Sequence, residues 1–254
     1  MTITDDGQPP RIRPNALVIG AQKAATTAII KNLRTLDNVW APSKELHFFS
    51  VHWERGTDWY EKAFSKLVRE VKPERYNARL LLEKSPSYMA DPKSAERIRD
   101  FDPSMKIIAC LRNPIDRAFS RYNDIRIDEP ERINLSFEEV IARGIANPDH
   151  FLKNGLYAMQ LRPFFEHFPR EQICLVVQER LESRGPLEMD ILLSFLGLTP
   201  GSIELQRFNA NAYELRISTE TRNRLRDFYQ KPNEELFQLI GFSIPEWVEE
   251  PHAS

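Results

Sequence analysis

Short apolar runs alternate with helical repeats along the chain, and the first pair sets the plan. Residues 16–19 (ALVI) are too few for a helix and suit a buried strand, while a polar turn after Gly20 leads into residues 26–36, where Ile29, Ile30, Leu33 and Leu36 share one helical face. Residues 57–67 repeat the helical spacing, with Thr57 as cap and Trp59, Phe64 and Leu67 facing inward. A second short strand ends at residues 80–82. After a helix at 92–101 comes the clearest strand, residues 105–111 (MKIIACL), and then a helix opened by Pro114 whose buried face is Ile115, Ala118, Phe119 and Tyr122. Helix 155–168, strand 173–178, helix 186–197 with Gly197 as C-cap, and helices 219–230 and 233–240 complete the pattern. Residues 178–184 read as a polar connection without chemistry, and residues 208–218 as a loop. No repeat or linker divides the chain. The expectation is one α/β domain over 15–254, with a largely parallel central sheet flanked by helices, behind a loose tail at 1–14.

Composition narrows the class. The 254 residues are 41% hydrophobic and 28% charged with a net charge of -2, enough apolar material for a sizeable core and too little positive charge for a general nucleic-acid binder. The two cysteines, Cys110 and Cys174, each lie inside an apolar run and read as core residues, so no zinc site is implied. The first fourteen residues contain three prolines and lack an apolar stretch, unlike a signal peptide, and no run reaches membrane-spanning length. A cytoplasmic enzyme without a membrane partner is the default expectation; the oligomeric state is not readable.

Candidate chemistry gathers where strands end. A strand, a polar turn and a helix over residues 16–27 make an anion site, because the first N–H groups of a helix have no intrahelical partner and carry partial positive charge, and Lys23 adds a full one. The spacing is not that of a nucleoside-triphosphate loop, which places a second Gly directly before the Lys. Lys44, Glu45 and His47 stand in VWAPSKELHFFS, packed between a proline and the aromatic pair Phe48 and Phe49. Taken singly, Lys44 and Glu45 would be surface residues and His47 a hydrogen-bonded structural one. Lys84 follows the second strand and Arg112 the third, at the edge where open α/β sheets bind ligands. Arg117, Arg121 and Arg126 read most simply as a solvated helix face.

Taken in order, GAQKAATT, KELHFFS, EKSPSY and LRNPIDRAFSRY resemble the sulfotransferases that use 3'-phosphoadenosine 5'-phosphosulfate (PAPS), above all the heparan-sulfate-type branch and its bacterial relatives. The resemblance extends over nearly the whole chain after residue 14. It implies that Gln22, Lys23, Ala24, Ala25, Thr26 and Thr27 hold the 5'-phosphosulfate, with Lys23 on the bridging oxygen, and that Arg112 and Ser120 hold the 3'-phosphate. It also implies that Glu45 is the general base and that His47 and Lys84 lie at the reacting centre. Two departures stand out. Many members have Gly where Ala24 or Ala25 stands here, and Ala serves only if neither position requires positive φ. The Lys-Gly-Arg loop that closes over the 3'-phosphate in that branch is missing, along with its bracing cysteines, which leaves Arg216 as a substitute.

The implied reaction is in-line transfer of a sulfuryl group from PAPS to a hydroxyl or amine of a carbohydrate or small-molecule acceptor, with no metal. The net charge and the lack of a concentrated Lys/Arg run favour a smaller hydroxyl compound over a long sulfated polymer. The alternatives are a kinase-like nucleotide enzyme, which needs a Mg²⁺-holding Asp after a strand, and a non-catalytic nucleotide-binding module, which leaves Glu45 and His47 unexplained.

Overall fold

The computed structural model describes residues 11–42, 44–71, 79–146, 150–204 and 216–247. Five parallel strands form one sheet in the order β2-β3-β1-β4-β5. The central strand β1, Ala16–Gly20, is buried at every residue and lies between β3, Leu80–Lys84, and β4, Lys106–Leu111. The edges are β2, Val39–Trp40, and β5, Ile173–Val177. Helices cover both faces of such a sheet, which is why its strands read as continuous apolar runs rather than alternating ones. Only β2 escapes that pattern, because two residues are too short to show a period.

The helices follow as α1 Thr26–Leu33, α2 Gly56–Val71, α3 Ser94–Phe101, α4 Pro114–Asp128, α5 Phe137–Ala146, α6 His150–Lys153, α7 Tyr157–His167, α8 Gln178–Leu196 and α9 Thr219–Ile240. Since every paired strand is parallel, all strand exits open on one edge of the sheet. The main core surrounds the sheet, and a second cluster joins α4, α5, α6 and α9 through Ile115, Tyr122, Phe137, Leu152, Leu225 and Tyr229.

Several expectations change. The polar connection 178–184 is the first half of α8, which continues across a non-helical residue, Arg184, just ahead of Gly185 and Pro186. Likewise α9 runs unbroken through Pro232. The last residues of the supposed loose tail are docked: Arg11 and Arg13 pair with Glu61, and the Ile12 N–H donates to Ser65 Oγ at 2.8 Å. Residues 1–10 lie outside the described residues. Arg117 is not on a solvated face but 0% exposed, its guanidinium donating to the Phe151 carbonyl. Cys110 and Cys174 are free and buried on adjacent strands, and burial pushes the Cys174 thiol up to about 12.

Candidate active site

The anion loop depends on one glycine. Gly20 ends β1 with φ 149°, and a Cβ there would meet the Pro86 carbonyl oxygen at 2.9 Å and Met89 Cβ at 2.8 Å. Only glycine lets the exit of β1 pass this close to the turn after β3. Beyond it Lys23 and Ala25 are left-handed, with φ 69° and 59°. The condition attached to the alanines therefore fails at Ala25, where this conformation costs about 1–2 kcal/mol. Ala25 is also the N-cap of α1 and offers no side-chain oxygen, so no side chain caps the helix. Its first N–H groups face the turn that Gln22 and Lys23 form, with Ala24 and Thr26 buried and Gln22 and Thr27 exposed.

Two cations border the loop. Lys23 Nζ lies 2.6 Å from Asp124 Oδ2 of α4, and Arg112 Nη1 donates to the Lys23 carbonyl at 3.2 Å. Ser120 lies one turn before Asp124 on the same helix and is 2% exposed, so it belongs to the flank of α4 that faces the loop. The exit of β4 is itself braced. Tyr157 OH donates to the Arg112 carbonyl at 2.9 Å, the Asn113 N–H to Glu179 Oε1 at 2.7 Å, and Trp247 Nε1 to Glu179 Oε2 at 3.0 Å. Burial pushes the Glu179 carboxyl above the usual carboxylate range, against these donors. Sequence reasoning passed over Glu179 because it sits in the stretch read as a featureless connection. Arg216 is exposed. Most of the neighbouring loop, residues 205–215, lies outside the described residues.

Glu45 is the centre of the second group. Lys84 Nζ pairs with Glu45 Oε1 at 2.6 Å, and His47 Nε2 reaches Glu45 Oε2 at 3.2 Å. The same Lys84 ammonium donates to Thr27 Oγ1 at 3.3 Å, which ties this group to the start of α1. On its other side the His47 ring shares a hydrogen bond with Ser87 Oγ at 2.8 Å. His47 is left-handed as well, with φ 50°, so the three non-glycine residues of positive φ among the described residues all belong to this strand edge. Such strained residues cluster at functional sites.

Beside Glu45 lies a cavity of about 370 Å³ lined by Lys44, His52, Arg55, Trp59 and Lys66 among others. Three cations separated in sequence, Lys44, Arg55 and Lys66, thus line one cavity together with Glu45, a grouping that no contiguous Lys/Arg run reports. Among the described residues no group of three or more His, Cys, Asp or Glu side chains forms a metal cluster, and no helix is long and apolar enough to cross a membrane.

Known proteins resemble this chain over most of its length. The mouse heparan sulfate glucosamine 3-O-sulfotransferase 3B1 is 29% identical over 90% of this chain, and the human heparan sulfate glucosamine 3-O-sulfotransferase 6 is 33% identical over 73%. The chain spans only 63% and 52% of those two proteins. A sulfotransferase crystal structure from Alicyclobacillus acidocaldarius superposes with a TM-score of 0.78 at 27% identity, covering 94% of this chain and 100% of that one. The family described as the sulfotransferase domain matches residues 13–228. That match takes in every strand of the sheet, and the chain belongs to the sulfotransferase domain family.

Proposed function

We propose that the protein transfers a sulfuryl group from PAPS to a hydroxyl or amine of a carbohydrate or small-molecule acceptor. The observation that carries this reading is the double role of Lys84, whose ammonium touches both Glu45 and Thr27, so that a carboxylate able to accept a proton stands beside an uncapped helix start able to hold an anion. The residues fit the donor. The turn at Gln22 and Lys23 leads into the uncapped start of α1 at Thr26 and Thr27, Lys23 and Arg112 supply charge, and Ser120 lies on α4, the helix whose Asp124 meets Lys23.

The acceptor oxygen or nitrogen attacks sulfur as the bond from sulfur to the leaving phosphate oxygen breaks. Glu45 takes the acceptor's proton, and Lys23 with the loop N–H groups offsets the charge that grows on the leaving phosphate. Little covalent help is needed; position and charge do the work. On the acceptor side, the relatives named for heparan sulfate glucosamine support a carbohydrate. Lys44, Arg55 and Lys66, which line the same cavity as Glu45, support an acceptor that carries an acidic group.

The test is transfer of radiolabel from PAPS to a panel of neutral and acidic oligosaccharides and small hydroxyl compounds, run beside thermal melts with adenosine 3',5'-bisphosphate and with ATP. Label on an acidic acceptor, with the bisphosphate at 100 times its Kd stabilising by about 2.7 kcal/mol, is the expected result. Stabilisation by ATP alone and no transfer to any acceptor would refute the proposal.

A further inference from the structure

Glu83 is the penultimate residue of β3, directly before Lys84, and is 0% exposed, a carboxylate in the core that the reaction itself does not use. Burial pushes its carboxyl up, and four donors answer that cost. Ser85 Oγ donates at 2.5 Å, Tyr88 OH at 2.8 Å and Tyr60 OH at 3.1 Å, with the Leu46 backbone N–H as the fourth. Both phenols are pushed well above their ordinary range by burial and by the Glu83 charge, so they stay protonated and keep donating.

Two of these hydroxyls also accept. The His47 N–H donates to Ser85 Oγ at 2.9 Å, and the Phe48 N–H donates to Tyr88 OH at 2.9 Å. Three consecutive N–H groups, those of Leu46, His47 and Phe48, are therefore wired to one buried carboxylate, the first directly and the next two through a single hydroxyl. Chains of this kind polarise one another in a low-dielectric interior and hold their members in place. The wired segment follows Glu45 directly and includes His47, whose left-handed backbone needs such restraint.

We propose that Glu83 is a positioning residue: through Ser85 and Tyr88 it fixes the backbone of residues 46–48 and so aims Glu45 and His47 at the reacting centre. This rests on the reading of Glu45 as the general base. The carboxylate supplies the design with its control, because Tyr60 donates to the same Oε2 atom as Tyr88 but accepts from no N–H of the loop among the described bonds. Tyr60→Phe and Tyr88→Phe each remove one buried hydroxyl and keep the ring, including the Tyr60 ring stacked on Phe48 at 4.5 Å.

The experiment compares Tyr88→Phe, Ser85→Ala and Tyr60→Phe by kcat, by KM for PAPS and by amide hydrogen exchange over residues 46–48. Misplacing a reacting group by an ångström costs on the order of 100-fold. Tyr88→Phe and Ser85→Ala should lose about 10- to 100-fold in kcat with KM for PAPS unchanged. Both should also exchange faster at residues 46–48, whereas Tyr60→Phe keeps near-native rates and protection. Equal losses in all three variants would reduce the network to ordinary core structure, and unchanged kcat and protection in Tyr88→Phe and Ser85→Ala would also overturn the proposal. Exchange is read without turnover, so a chain that transfers no sulfuryl group would refute the function while the wiring is still judged.

Discussion

The two flanks of the strand edge are built differently. Beside β3 the loop of Glu45 and His47 is fixed from below by buried hydroxyls on Glu83, and its charged groups meet one another at 2.6 and 3.2 Å. Beside β1 and β4 the anion loop is held through its charged side chains instead: Lys23 pairs with Asp124 at 2.6 Å with 24% and 21% of the two side chains exposed, and Arg112 Nη1 donates to the Lys23 backbone carbonyl. A base must be aimed before the acceptor arrives, which calls for a rigid mount. An anion site must instead exchange an internal partner for a ligand, and a part-exposed ion pair worth about 0.2–1 kcal/mol is easily exchanged.

The strongest way to break this comparison is to remove the charge on the anion side. Lys23→Ala should lower kcat by about 100- to 1,000-fold, the usual cost of one charge-stabilising donor, while the melting temperature of the free protein barely moves. Steady-state kinetics beside calorimetry reads both, and a variant of normal kcat would remove Lys23 from the transition state. Next in size, Arg112→Ala should weaken adenosine 3',5'-bisphosphate by about 10- to 100-fold and adenosine 5'-phosphate far less, since hydrogen bonds to charged groups contribute about 1.5–3 kcal/mol. Equal weakening of the two nucleotides by calorimetry would take Arg112 off the 3'-phosphate.

The smallest effect sharpens the contrast most. If Asp124 holds Lys23 only until a ligand arrives, Asp124→Asn should tighten binding of adenosine 3',5'-bisphosphate by a few-fold, up to about fivefold from the strength of an exposed pair. Weaker binding would show that Asp124 orients Lys23 rather than competing for it.

The anion side was largely legible in the sequence because its parts are contiguous: β1, the turn and α1 follow one another, and only the left-handed Ala25 went against expectation. The other flank was legible in its residues and not in its wiring. Glu45, in the loop after β2, and Lys84, the last residue of β3, are separated by a parallel crossover, and no local spacing reports a 2.6 Å contact between them. Glu83 reads as one more charge at the end of LLLEK, although an acidic residue closing an apolar strand just before Ser85 and Tyr88 was a usable signal. Arg117 misled for the opposite reason: charge suggested solvent, but the second core between α4 and α6 closes over it. In α8 the Gly185-Pro186 pair looked like a helix start, whereas the helix kinks there and continues, so Glu179 was not seen as the brace of the β4 exit.

The central claim is that Glu45 takes the proton while His47, held at 3.2 Å, orients it. Single-turnover rates of Glu45→Gln and His47→Asn at saturating PAPS and acceptor separate the two roles from binding and product release. The account predicts a loss of ~100-fold or more for Glu45→Gln, a smaller loss for His47→Asn, and nucleotide affinity unchanged in both. A nearly active Glu45→Gln beside an inactive His47→Asn, with both still binding the nucleotide, would contradict it and make His47 the base.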